Sequence, residues 1–187
     1  PDGSLGMGKR EAILADTSEE IRKHAKAARR EAESDIILVP VDFSDHSEAA
    51  LIQASEYAQA MSATLAVLHV VHDPGDMPGY YSKLIKKKRA TRIQDMAAEV
   101  FDQFMDRVID EHSQYGPLRD AVRLMVSGLP VTRILEVVKH LAPFMVVMGS
   151  QGRTGLKHLV MGSKAAQIVQ LCPVPVTIVK KPPASSD

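Results

Sequence analysis

The 187-residue chain is expected to be an α/β protein: a doubly wound, five-stranded parallel sheet, Rossmann-like, with helices on both faces and an extra helix at the amino end. Three observations predict this. Apolar runs of strand length alternate with helical patterns from residue 35 to residue 181, in the order β-α-β-α-β-α-β-α-β. Those runs lack polar alternation, as strands covered on both faces do. A glycine-rich stretch then lies between the fourth run and the helix after it. The strand order, expected as 3-2-1-4-5, is not proved by the sequence.

Before the first run, Pro1 to Gly6 carry no hydrophobic pattern and precede Met7, as a remnant of expression cloning would. From Thr17 to about Glu33 the sequence favours a helix, with Thr17 and Glu20 spaced as a capping box. Its apolar residues Ile21, Ala25 and Ala28 are sparse and its charge is high, so a solvated or partner-packed helix is expected. Residues 1–34 are therefore set apart as an extension, 35–181 as the domain and 182–187 as a disordered tail.

Asp35 to Val41 forms the first strand. Asp45 and Glu48 are spaced as an N-cap and its box partner for a helix through Ala49, Ala50, Ile52, Ala54, Tyr57 and Ala58. Thr64 to Val71 is the second strand. A long helix follows, with Ile93, Met96, Ala97, Val100, Phe101, Phe104 and Val108 on one stripe, and Lys86-Lys87-Lys88-Arg89 as its solvated start. Ala121 to Val126 is the third strand, and Pro130 opens a helix through Ile134, Leu135 and Val138. Phe144 to Met148 is the fourth strand. Ser163 is expected to cap the last helix, which runs to Leu171, and Val174 to Val179 is the last strand.

Composition narrows the function. Lysine plus arginine and aspartate plus glutamate both number 23, so no global field favours nucleic acid or an anionic membrane. No apolar segment approaches the ~20 residues that span a bilayer, and no signal peptide is visible. The single cysteine, Cys172, excludes an intrachain disulfide and reads as a buried small residue. A soluble cytoplasmic protein is expected.

The chemistry gathers where Met148-Gly149-Ser150-Gln151-Gly152-Arg153-Thr154-Gly155 is followed by Gly162-Ser163-Lys164. Strand, glycine loop and helix start together form a phosphate cradle, because amide N–H groups approach an anion unobstructed and the helix adds unpaired donors. In doubly wound sheets such a site lies beyond the carboxyl ends of the strands. The loops after Val41 and Met148, and also that after Val126, are expected to meet there. No P-loop, no Gly-x-Gly-x-x-Gly after the first strand and no Gly-x-Ser-x-Gly elbow is present. His69 and His72 are poorly spaced for a shared metal.

Gly149, two residues, Gly152, nine residues, then Gly162 and the hydroxyl of Ser163 resemble the nucleotide-binding branch of the universal stress protein family. Pro40-Val41-Asp42-Phe43-Ser44 and Leu68-His69-Val70 add to the resemblance, which covers Asp35 to about Lys180. It implies an adenine-nucleotide-binding stress-response regulator holding ATP or AMP, with Mg²⁺ carried by the phosphates. Asp42 would hold the adenosine portion or else cap the helix beginning near Asp45; Pro40 and Val41 would add backbone and apolar contacts, and Met148 belongs to the same nucleotide site. Val70 would pack on adenine or be an ordinary core valine. Gly149 would lie under the ribose, and Gly152, Gly162 and Ser163 would face the phosphates. Arg153 either pairs with phosphate or is solvated, and Lys157 and His158 stand the same way.

Lys164 and Ala165 depart from the family's small or hydroxyl residues, which leaves ATP against AMP open. The resemblance also implies a homodimer through the last strand (Val174, Val176, Ile178), since so apolar an edge needs covering. No catalytic pair stands out, so at most slow hydrolysis is expected. The alternatives are a weak Mg²⁺-dependent ATPase or phosphotransferase using Arg153 or Lys164, and a dimeric scaffold whose N-terminal helix docks on a transporter or another stress protein.

Overall fold

The computed structural model describes residues 12–71, 82–152 and 161–181. The expected remnant at residues 1–6, the tail at 182–187, and His72, Arg153, Lys157 and His158 lie outside these, as do the side chains of Lys86 to Arg89. In chain order the elements are β1 (Ile13–Ala15), α1 (Ser18–Glu31), β2 (Ile36–Val41), α2 (Asp45–Met61), β3 (Thr64–Val71), α3 (Ser82–Glu111), α4 (Gly116–Arg119), β4 (Val122–Ser127), α5 (Pro130–Leu141), β5 (Met145–Gly149), α6 (Ser163–Leu171) and β6 (Val176–Val179).

The strands form one parallel sheet in the order β1-β4-β3-β2-β5-β6. The sheet thus has six strands where five were expected. The extra strand, β1, pairs Ile13, Leu14 and Ala15 with Leu124, Met125 and Val126. Three residues are too few to show a period, and their partner strand lies far along the chain.

Alternate residues of β2 feed two cores. Ile36 and Leu38 face one core with α1, α5 and α6, while Ile37, Val39 and Val41 face the other with α2 and α3. In α2 the buried side is Ala50, Leu51, Ala54 and Ala58; small residues let the helix lie close on the sheet. The helix expected to be solvated or partner-packed is neither on its apolar side. Ile21, Ala25 and Ala28 of α1 are 1%, 1% and 6% exposed and belong to the first core. Alanines at this spacing suffice when the opposing surface is close, which the sequence of the helix cannot show.

Three further readings are corrected. Met96 and Val100 belong to the expected apolar stripe of α3 yet are 59% and 45% exposed, because the contact is made by Phe101, Phe104, Met105 and Val108. The strand read as apolar, Ala121 to Val126, contains Arg123. It is 6% exposed and ion-paired to Asp102 at 2.8 Å and Asp106 at 3.7 Å, and a buried guanidinium needs such partners. Cys172 is half-buried at the end of α6 rather than fully buried.

Candidate functional site

The crevice begins with a proline. Phe144 N–H donates to the Ile36 carbonyl, so with a period of two the backbone of position 40 also faces β5. Pro40 has no N–H to offer. Pairing of β2 with β5 stops at Leu38–Val146, whereas pairing with β3 continues to Val41–His69. The two central strands therefore part at their carboxyl ends. The chain turns from β2 into α2 on one face, and from β5 toward α6 on the other.

Beyond Val41 the backbone makes a tight reversal. Phe43 takes a left-handed φ of 63°, a conformation uncommon for a bulky residue. Its ring stacks on His69 at 4.2 Å, with Phe104 at 5.3 Å and Phe101 at 6.0 Å. His69 Nδ1 lies 2.9 Å from the Val41 carbonyl, an acceptor, so that nitrogen carries the proton. The reversal lets Asp42 Oδ1 accept from Ser44 N–H at 3.2 Å and Ser44 Oγ at 2.6 Å. Ser44 in turn accepts from Ser47 N–H and is the N-cap of α2.

The expected cap is corrected accordingly: Asp45 is the first helical residue. Its carboxylate pairs with Lys181, whose hydrogen bond and charge hold it below the usual carboxylate range. Glu48 goes instead to Arg107 at 2.6 Å. Asp42 thus supports the helix start through Ser44 and through its own N–H, which donates to Ser47 Oγ at 3.3 Å. The Asp-x-Ser spacing was the available signal for Ser44, whereas Lys181 gave none.

On the other wall, Gly149 and Gly152 are glycines for steric reasons. A Cβ on Gly149 would lie 2.7 Å from the carbonyl carbon and oxygen of His46, in the first turn of α2. A Cβ on Gly152 would lie 2.7 Å from Asp42 Oδ2. The loop after β5 is therefore pressed against the carboxylate after β2. Gly162 N–H donates to the Ser150 carbonyl at 2.7 Å, which brings both ends of the glycine stretch to one point. Gly162 is the N-cap of α6, and among the described residues no side chain caps that helix. Ser163, expected as the cap, is its first residue and is exposed, as is Lys164. Ala165 is 4% exposed within the core, so its methyl faces the sheet rather than the crevice.

Asp42, Gly149, Gly152 and Gly162 are thus gathered at one rim, with Pro40, Val41 and Met148 buried beneath them and Val70 partly buried on β3. The loop after Val126 does not join them, because β3 stands between β4 and β2. It meets the end of β1 instead. Ser127 Oγ and Gln94 Nε2 both donate to Asp16 Oδ1 at 2.7 Å, and Arg133 Nε donates to the Ser127 carbonyl at 2.8 Å. Among the described residues no group of His, Cys, Asp and Glu side chains is placed to hold a metal ion, and no helix is long and apolar enough to cross a membrane.

This crevice, its glycines and the aspartate opposite them lie within residues 33–180, which match the universal stress protein family. The chain belongs to the universal stress protein family. Universal stress protein MJ0531 of Methanocaldococcus jannaschii is 28% identical over 78% of this chain and 82% of its own length. Universal stress protein UspA from Lactobacillus plantarum superimposes with a TM-score of 0.65 at 24% identity, over 80% of this chain and 99% of that one. A universal stress protein solved in complex with cAMP aligns with a TM-score of 0.54 at 19% identity, over 78% of this chain and 96% of its own. One from Archaeoglobus fulgidus in complex with dAMP gives 0.53 at 17%, over 79% and 98%. At these identities the structures share the fold.

Proposed function

We propose that this universal stress protein binds an adenine nucleotide, ATP or AMP, where β2 and β5 part, and acts as a stress-response regulator through that occupancy. The observation that carries the reading is the contact of Gly152 with Asp42. A carboxylate that accepts from ribose hydroxyls or an exocyclic amine stands across from a backbone with no Cβ in the way. The phosphates would then reach Gly162, Ser163 and the uncapped first turn of α6, where unpaired N–H groups and the helix dipole favour an anion. Lys164 is exposed beside that turn, and Arg153 belongs to the same segment. Any accompanying Mg²⁺ is held through the phosphates. The family relatives complexed with cAMP and dAMP support the adenine assignment.

Occupancy would set the conformation of the segment between Gly152 and Gly162, and with it the surface offered to partners. A ligand shifts such an equilibrium only by its differential affinity for the two states. Two contact surfaces belong to the reading: the half-buried edge formed by Val174, Val176 and Ile178, for a homodimer, and the outer face of α1, for a protein partner. Isothermal calorimetry with ATP and AMP tests the core of it. Saturable heat at one nucleotide per chain is expected, and no heat at millimolar ATP would end the reading.

A further inference from the structure

The outer faces of α1 and α3 carry opposite charges at matching spacing. On α1, Arg22, Lys26 and Arg29 recur at i, i+4 and i+7, with Lys23 and Arg30 beside them, and all are exposed. Arg29 donates to the Ser34 carbonyl, and none of these cations is ion-paired to a described residue. On α3, Asp95, Glu99, Asp102, Asp106 and Asp110 recur at the same helical spacing on one stripe. Asp102 and Asp106 are bound from below by Arg123, while Asp95, Glu99 and Asp110 are exposed. Met96 and Val100, also exposed, flank this stripe one turn apart. At about 1.5 Å per residue the acidic stripe is about 22 Å long and the basic one about 12 Å, so the shorter fits within the longer.

These faces cannot meet within one molecule. Helix α1 packs in the core on one side of the sheet and α3 in the core on the other. The zero formal net charge thus conceals two helical faces of opposite sign. We propose that the basic face of α1 docks on the acidic face of α3 of a second copy of this chain. The aliphatic stems of the lysines and arginines would cover Met96 and Val100. Because the two surfaces lie on opposite sides of the sheet, two copies cannot make both contacts at once, so the contact is heterologous and propagates head to tail instead of closing as a twofold pair. It is separate from the edge of β6. Exposed charges are screened within ~10 Å at 0.1 M salt, so the association should be weak and salt-sensitive.

The test is sedimentation velocity of the full chain at several concentrations, in low salt and in high salt. The average mass should rise with concentration in low salt and fall back to a constant unit in high salt. Two charge-reversed proteins decide the surfaces, K26E/R29E on α1 and E99K/D110K on α3, each checked for native circular dichroism. Each alone should lose the low-salt association by roughly tenfold or more. Mixed in equal amounts they should regain it, because each reversed helix then faces a complementary partner. Absence of salt-sensitive association, retention of it by either variant, or failure of the mixture to recover it would overturn the proposal. Binding of the wild type to anionic vesicles or to DNA with no self-association would also overturn it, by giving the basic face a different occupant.

Discussion

Two aspartates in this protein follow parallel strands at the same rim of the sheet, and they have opposite surroundings. Asp16, after β1, is exposed but held by side-chain donors. Ser127 and Gln94 donate to its carboxylate, and Arg133 spans from the Ser127 carbonyl to Ser18 and Glu136. Even Gly128, with φ of 135°, serves this cluster, since a Cβ there would lie 2.7 Å from Arg133 Nε. Asp42, after β2, lies against Gly152 beside the point where Pro40 ends the ladder, and its other oxygen accepts from Ser44. The first arrangement joins the amino-terminal extension to α3 and α5. The second sets a carboxylate against a glycine backbone at the rim of the crevice. The position of an aspartate after a strand is therefore no mark of a site. What differs among the described residues is the neighbour: side-chain donors at Asp16, a glycine backbone at Asp42.

The sharpest division between the two regions is in ligand affinity. Asp42→Ala and Gly152→Val should each weaken ATP binding by roughly tenfold to a hundredfold, the scale of losing a hydrogen bond to a charged group, as read by calorimetry. Asp16→Ala should leave the dissociation constant unchanged. An equal loss in the Asp16 variant would erase the distinction.

Stability comes next. Gly149→Ala should cost ~1–3 kcal/mol in urea denaturation, because its Cβ meets backbone of α2 that cannot move alone. Asp16→Ala, at an exposed site where Gln94 and Ser127 can turn to water, should cost about 1 kcal/mol or less. Gly152→Ala should cost less than Gly149→Ala, since the end of the Asp42 side chain can rotate away. If the two glycine variants proved equally destabilising, Gly152 would be a packing residue like Gly149.

The smallest effect is in pH. Burial pushes the Glu136 carboxyl up, but hydrogen bonds from Ser18 and Arg133 and the Arg133 charge outweigh it, so the group titrates below its ordinary 4.5. A depressed carboxylate contributes fully above its unfolded value and loses that contribution as pH falls through the folded one. Stability of the wild type should therefore decline below about pH 4.5 more than that of Glu136→Gln, whose curve lacks this component.

Much of this was legible in the chain, for local reasons. Thr17 and Glu20 form their capping box as spaced, with the Glu20 carboxylate on the Thr17 amide at 3.0 Å and the Thr17 hydroxyl on the Glu20 amide at 3.2 Å. The apolar runs from Asp35, Thr64, Phe144 and Val174 contain strands within a residue or two of their expected limits. The less legible parts depended on what lies opposite. Ile21 and two alanines looked too sparse to bury a helix until α5 and the sheet closed over them. Met96 and Val100 shared a stripe with Phe101 and Phe104, but a helix crossing a sheet touches it along only part of such a stripe.

By itself, then, the sequence determined the elements, their caps and the spacing of the glycines, because those depend on residues within a turn or two of one another. Only the tertiary structure decided that a three-residue strand completes the sheet, that Arg123 is buried under two aspartates, and that Asp42 meets Gly152 while Asp16 meets Ser127 and Gln94. Those outcomes depend on contacts between residues distant in sequence, where packing leaves or fills a space that no single segment encodes.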